Sequence, residues 1–319
     1  MLIVLNLLLG ILLLGLGGEW LVKGASRLAH GLGLPPLVIG LTVVAIGTSA
    51  PEFMVAFRAA LDGHMDVSFG NIMGSNIYNA FFILGVCALA RPFHASSKAI
   101  KRDLFGMVLC VALFWAFCLD LKIHPLEGAV LLAGAIFYTI LRFVNSSSDR
   151  ETVQEASEDF KALRAKYRSL PQLLLCGLYI ALGLTSLLGG AHFLLTNAVA
   201  LARQLGVSEF VIGLAVVTFG TSLPELVSSL TAVLKQKEEL AVGNIIGSNI
   251  YNISLVLGGV IGLQPGATAV PPQILRFNLP YMLVFFLAWF LLSRHFQDMG
   301  RRSGLIFLAV YFLYLGLQL

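Results

Sequence analysis

Charge is scarce in this chain. Only 12% of its 319 residues are Asp, Glu, Lys or Arg, against about 25% in a soluble domain. A water-soluble fold cannot hide so little polarity, which leaves the bilayer as the solvent. Cysteine is scarce too. Cys87, Cys110, Cys118 and Cys176 lie scattered in apolar runs with no CxxC spacing, so neither a disulfide framework nor a zinc site is expected and they read as small buried residues. HExxH, GxSxG and phosphate-loop motifs are missing, which removes the sequence grounds for an intramembrane enzyme. The net charge of +4 is modest and gives no hint of nucleic acid. The first 20 residues lack a basic leader and a small-x-small cleavage site, so no cleaved signal peptide is expected and the first span should be retained.

What the chain has is apolar length: 58% of it is hydrophobic. Ten segments read as spans, at 2–22, 36–62, 66–90, 103–121, 124–144, 171–202, 209–234, 239–262, 273–293 and 303–318. Each must be helical, because lipid offers no partner to an open backbone. Placing the N-terminus outside puts 17 of the 21 basic residues on the inside, with only Arg58, Lys122, Arg203 and Arg276 outside. The positive-inside rule therefore predicts two outward-facing termini in a cell membrane. Residues 145–170 form the one polar stretch, an inside linker whose middle suits a short amphipathic helix. Its Asn145-Ser146-Ser147 matches the glycosylation pattern but faces the cytoplasm in this topology.

The strongest signal is self-similarity. GLTVVAIGTSAPE at 40–52 returns as GLAVVTFGTSLPE at 213–225, and GNIMGSNIYN at 70–79 returns as GNIIGSNIYN at 243–252. Five spans per copy invert the second copy, so the expected fold is an all-α integral membrane protein. Its ten helices form two inverted-topology repeats, 1–144 and 171–319. Inverted repeats with interrupted helices at matching places point to a transporter with a midplane binding site.

Each copy carries two breaks. In the first, Pro51 and Pro224 each remove a backbone donor, which leaves the carbonyl four residues earlier without its usual partner. Helical spacing brings Thr48 and Ser49 onto the face of Glu52, and Thr221 and Ser222 onto that of Glu225. In the second, Ser75 and Asn79 are i, i+4, as are Ser248 and Asn252. The donor set is oxygen only, suited to Na⁺ or Ca²⁺ and poor for zinc or copper. Asn71, Asn76, Asn244 and Asn249 read equally as helix-to-helix hydrogen-bonding residues, and Tyr78 and Tyr251 as packing residues. Glu19 and its repeat counterpart His192 suit either a gating or pH-sensing role or simple snorkelling to an interface.

The paired motifs GTSAPE with GNIMGSNIYN and GTSLPE with GNIIGSNIYN resemble the two α-repeats of the cation/calcium exchanger superfamily, most of all its prokaryotic sodium/calcium exchangers. The resemblance implies an antiporter that exchanges Na⁺ for Ca²⁺ by alternating access, with no cofactor beyond the transported ions. It implies four ion subsites among the second, third, seventh and eighth spans. Glu52 and Glu225 would be the main Ca²⁺ ligands. Thr48, Ser49, Ser75, Asn79, Thr221, Ser222, Ser248 and Asn252 would complete the set with the carbonyls of Ala45 and Thr218. The first and sixth spans would slide as a pair. Asn252 stands where some relatives carry Asp, which argues against K⁺ co-transport and removes a titratable group; Thr218 stands where Ala is common. Two buried acids should let protons compete with Ca²⁺. A Ca²⁺/H⁺ antiporter on the same scaffold is the alternative reading, with a channel a more distant one. A monomer could suffice, and the oligomeric state is left open.

Overall fold

The computed structural model describes residues 2–94, 98–150, 158–205, 218–292 and 298–318. Thirteen helices account for nearly all of them. They are α1 (Leu2–Leu32), α2 (Pro36–Thr48), α3 (Ala50–Leu61), α4 (Met65–Ala90), α5 (Lys98–Phe117), α6 (Pro125–Arg150), α7 (Glu158–Tyr167), α8 (Leu170–Gln204), α9 (Thr218–Thr221), α10 (Leu223–Leu234), α11 (Glu238–Gly262), α12 (274–292) and α13 (Arg301–Gln318). Among the described residues six helices are long and apolar enough to cross a membrane unaided. The second expected span is broken into α2 and α3, bent by 44°. The first part of the seventh falls on 206–217, outside the described residues. The fourth, α5, opens on Lys98, Lys101, Arg102 and Asp103.

Two ladders of two-residue strands tie loops together. β1 (Phe93–His94) pairs antiparallel with β4 (Asp298–Met299), and β2 (Lys122–Ile123) with β3 (Thr268–Ala269). The first joins the loop after the third span to the loop after the ninth; the second joins the loops after the fourth and eighth. Loops an even number of spans apart lie on one side of a bilayer, so both ladders fit an alternating ten-span path.

The chain folds as two compact units, one of residues Met1–Pro51 and Ser146–Asn244, the other of Glu52–Asn145 and Ile245–Leu319. Each takes segments from both sequence repeats.

In the first unit α1 and α8 run antiparallel, as their facing residues show. Gly10 lies against Gly190 and Leu194, Gly17 against Gly183 and Leu187, and Gly24 against Cys176 and Ile180. The small residues recur every seventh position on both helices. A Cβ at Gly17 would meet the Leu187 nitrogen at 2.7 Å, so the approach is backbone to backbone, as in small-xxx-small packing between membrane helices. α1 runs ten residues beyond the span expected from hydropathy. It ends at Leu32, where Gly33 turns left-handed at φ 65°, and Ala25 and Ala29 are fully buried in its added turns. Lys23 and Arg27, expected in a loop, lie on this helix and sit over the Tyr179 ring at 4.7 Å and 5.6 Å. Within the expected linker the structure places α7, a ten-residue helix. A second close crossing sets α2 on the first turns of α11, where a Cβ at Gly40 would meet the Leu240 carbonyl oxygen at 2.5 Å.

In the second unit α6 packs on α11 through Gly128 and Gly258, and α4 packs on α13 through Gly85 and Gly304. Wide π-type turns interrupt α2 at Gly40–Val44, α4 at Tyr78–Ile83, α11 at Asn252–Leu257 and α12 at Ile274–Asn278. Those in α4 and α11 fall at matching places in the two repeats, on Asn79 and Asn252. Such turns inside α-helices are frequent at functional sites.

Candidate functional site

The Gly-Thr-Ser-x-Pro-Glu segments build the same local form twice. Proline lacks an N–H and is welcome only in a first helical turn. Pro51 accordingly lies in the first turn of α3 and Pro224 in that of α10, and one serine separates each helix from the one before it. Ser49 has φ −77° and ψ 8°, and Ser222 φ −90° and ψ 11°. Both occupy the bridge region that ends one helix and starts the next. Glu52 and Glu225 thereby stand in the first turns of α3 and α10, where the positive end of the helix dipole favours a carboxylate.

Every site residue expected from the sequence whose side chain is described is buried. Glu52, Ser75, Asn79, Glu225, Ser222, Ser248 and Asn252 are all 0% exposed, and Thr48, Ser49 and Thr221 are 4% or less. Thr218 opens α9.

In the first unit Ser49 Oγ donates to Glu225 Oε1 at 3.2 Å. Thr48 Oγ1 donates to Asn244 Oδ1 at 3.1 Å, and the Asn244 amide donates to Ser228 and Ser229 at 3.0 Å and 2.9 Å. Ser228 in turn donates to the Glu225 carbonyl at 3.1 Å. The Ala45 carbonyl accepts from the Ser49 N–H at 3.0 Å and from Thr48 Oγ1 at 3.4 Å. The unit thus gathers Ala45, Thr48, Ser49 and Glu225 around one hydroxyl and amide network.

In the second unit Ser75 Oγ donates to Glu52 Oε1 at 3.3 Å and the Asn71 amide to the Glu52 carbonyl at 3.3 Å. The Asn252 amide donates to Asn76 Oδ1 at 3.0 Å, and the Asn76 amide to the Asn249 carbonyl at 3.0 Å. Both polar atoms of Asn79, the Ser248 hydroxyl and Asn252 Oδ1 are buried with no hydrogen-bond partner among the described residues. A buried polar atom without a partner costs about 1–3 kcal/mol, a cost that a ligand at such an atom would offset.

Spacing alone passed over Ser228 and Ser229, although both lie three and four residues beyond Glu225 on the same helical face. Asn71, Asn76 and Asn244 hydrogen-bond from helix to helix, whereas the Asn249 amide donates to Ile245 of its own helix at 2.8 Å. The Tyr251 hydroxyl bonds Thr139 at 2.7 Å, and Tyr78 stacks on Phe82 at 4.7 Å. Arg58, the basic residue nearest Glu52 in sequence, pairs with Asp62 at 2.9 Å. Glu19 is held by Lys235 at 2.6 Å on an exposed face; its counterpart His192 is exposed.

The sodium/calcium exchanger protein family matches residues 2–144 and 176–319. Inner membrane protein YrbG of Escherichia coli is 33% identical over 98% of this chain and 95% of its own length. Sodium/calcium exchanger MaX1 of Methanosarcina acetivorans is 29% identical over 97% and 96%. Among solved structures, the sodium-calcium exchanger NCX_Mj soaked with zero Na⁺ and Ca²⁺ superposes with a TM-score of 0.85 at 29% identity, covering 100% of this chain and 99% of that one.

Proposed function

This chain belongs to the sodium/calcium exchanger family, and from that premise we propose that Glu52 and Glu225 carry the negative charge that its transported cations neutralise. The protein is a multi-pass, all-α membrane antiporter of ten spans in two inverted five-helix repeats, exchanging Na⁺ for Ca²⁺ by alternating access. It is not an enzyme.

The observation that carries the site assignment is the complete burial of both glutamates, each accepting a hydroxyl hydrogen bond. An ionised carboxylate held out of water is costly without a compensating charge. One Ca²⁺ or two Na⁺ offsets the pair, so occlusion favours a loaded protein over an empty one, which makes exchange obligatory and suppresses leak. Oxygen ligands from hydroxyls, amides and carbonyls suit both hard cations. Thr48, Ser49, Ser75, Asn79, Thr221, Ser222, Ser248 and Asn252, with the carbonyls of Ala45 and Thr218, complete the ligand set in this reading. Asn252, neutral where some relatives carry Asp, speaks against a K⁺ requirement. Protons discharge the same carboxylates and compete with Ca²⁺ at low pH.

The test is uptake of ⁴⁵Ca²⁺ by the purified protein in liposomes under an imposed Na⁺ gradient, with an imposed pH gradient as the second arm. Wild-type protein takes up Ca²⁺ in the first arm, and Glu52→Gln and Glu225→Gln abolish it. Near-normal flux in either variant would falsify the assignment; uptake driven by the pH gradient alone would replace Na⁺ by H⁺ as the driving ion.

A further inference from the structure

A cavity of about 330 Å³ lies between α5, α6 and α11, apart from the glutamates and their partners. It is amphiphilic along its length. At one end stand Arg102 and Asp103 of α5 and Arg142 and Asn145 of α6; at the other, Leu113 and Val130. The two helices meet at the polar end, where Arg142 Nε pairs with Asp103 Oδ1 at 3.0 Å and Tyr138 donates to the same oxygen at 3.1 Å. The eleven steps from Arg102 to Leu113 rise about 16 Å, roughly one leaflet of a ~30 Å hydrocarbon core. The floor is Ile250 and Ser254 of α11, which flank Asn252 in sequence.

The polar end is basic on balance. Asp103 is fully buried and neutralised by Arg142, itself 2% exposed. Arg102 stays exposed at the mouth. Lys98 is exposed one turn before it on the same stripe, and Lys101 is adjacent in sequence. Basic residues beside an apolar groove between membrane helices are the recognised form of a site for an acidic headgroup. The apolar wall stays open: Leu109 is 57% exposed and Phe137 63%. A Cβ at Gly134, on that wall, would meet nothing within 4 Å.

We propose that this groove is a binding site for one anionic phospholipid, its phosphate held by Arg102 and Lys98 and an acyl chain lying along the groove as far as Leu113. The site does not depend on which ions the protein exchanges, and its test reads lipid retention alone. The full chain, purified in detergent, is offered phosphatidylglycerol and phosphatidylcholine at equal concentration, and retained lipid is counted by native mass spectrometry. The wild-type chain keeps one phosphatidylglycerol in preference to phosphatidylcholine. Gly134→Trp, which fills the groove, loses that lipid, whereas Gly177→Trp, at an open glycine of α8, keeps it. Lys98→Gln with Arg102→Gln lowers the preference roughly tenfold or more, as expected for two lost headgroup charges. These two substitutions lie on an exposed stripe, so they test the idea even where the tryptophan disturbs folding. Equal retention of the two lipids by the wild-type chain, or unchanged preference in the double glutamine variant, overturns the proposal.

Discussion

Ser49 shows how one side chain is diverted from its own helix start to a residue far along the chain. Ser49-Ala-Pro-Glu52 and Ser222-Leu-Pro-Glu225 have the spacing of a helix capping box, in which serine bonds the third helical N–H and glutamate reaches back. The cap is not made at Ser222, and the Ser49 hydroxyl bonds Glu225 instead. A hydrogen bond to a charged group is worth about 1.5–3 kcal/mol. Ser49→Ala is therefore expected to raise the Ca²⁺ concentration for half-maximal uptake roughly tenfold. Ser68→Ala, which removes only a bond to the Ala56 carbonyl, should leave that concentration unchanged; Ca²⁺ titration of ⁴⁵Ca²⁺ uptake separates the two. This diversion is not legible in the sequence, because a spacing that satisfies a cap and one that serves a carboxylate elsewhere in the chain are the same string. Ser228 and Ser229 were unreadable for a related reason: serine beyond a glutamate is common on any helix, and only Asn244 singles these two out.

At the scale of elements, the pairing of α1 with α8 rests on small residues seven apart. Gly15 and Gly17 are two positions apart on α1 and face opposite ways. A Cβ at Gly15 meets nothing within 4 Å, whereas one at Gly17 meets the Leu187 nitrogen and the Gly183 carbonyl oxygen at 2.7 Å and 2.9 Å. Gly17→Ala is expected to destabilise the protein by about 1–3 kcal/mol through overpacking. Gly15→Ala should be neutral or stabilise it by up to about 1 kcal/mol through helix propensity. Thermal unfolding in detergent reads both; a Gly17→Ala protein as stable as wild type would remove the close contact. Most span positions were legible in the sequence because lipid tolerates little but continuous apolar helix. The ends were not: hydropathy falls at Lys23, but α1 continues to Leu32 because Ala25 and Ala29 still find a buried face. The second break expected in each repeat is a wide turn, beginning at Tyr78 in α4 and at Asn252 in α11; only its form was illegible, since Tyr-Asn and Asn-Ile runs are compatible with an ordinary helix.

For the whole molecule the clearest expectation concerns sidedness. The two strand ladders fit an alternating path, and the basic residues are the ground for expecting both termini outward. Cysteines placed at His64 and at Gln236, in a Cys110→Ala background, should behave oppositely toward a membrane-impermeant maleimide on intact cells. The position 64 probe reacts at once, and the position 236 probe only after permeabilisation. The reverse result inverts the molecule in the membrane. Loading should also be visible globally. A ligand that binds only the folded state stabilises it by RT ln(1 + [L]/Kd), about 2.7 kcal/mol at a hundredfold excess over Kd. Ca²⁺ should therefore raise the unfolding temperature of the wild-type protein, and Glu225→Gln should lose most of that rise.

The Asn79 amide, buried without a hydrogen-bond partner among the described residues, has one further consequence for the proposed site. A buried amide left waiting makes the passenger a temporary piece of the scaffold. The protein is then most firmly knit while it carries something and slackest just after delivery, so prolonged ion starvation should be when it is most vulnerable to proteolysis.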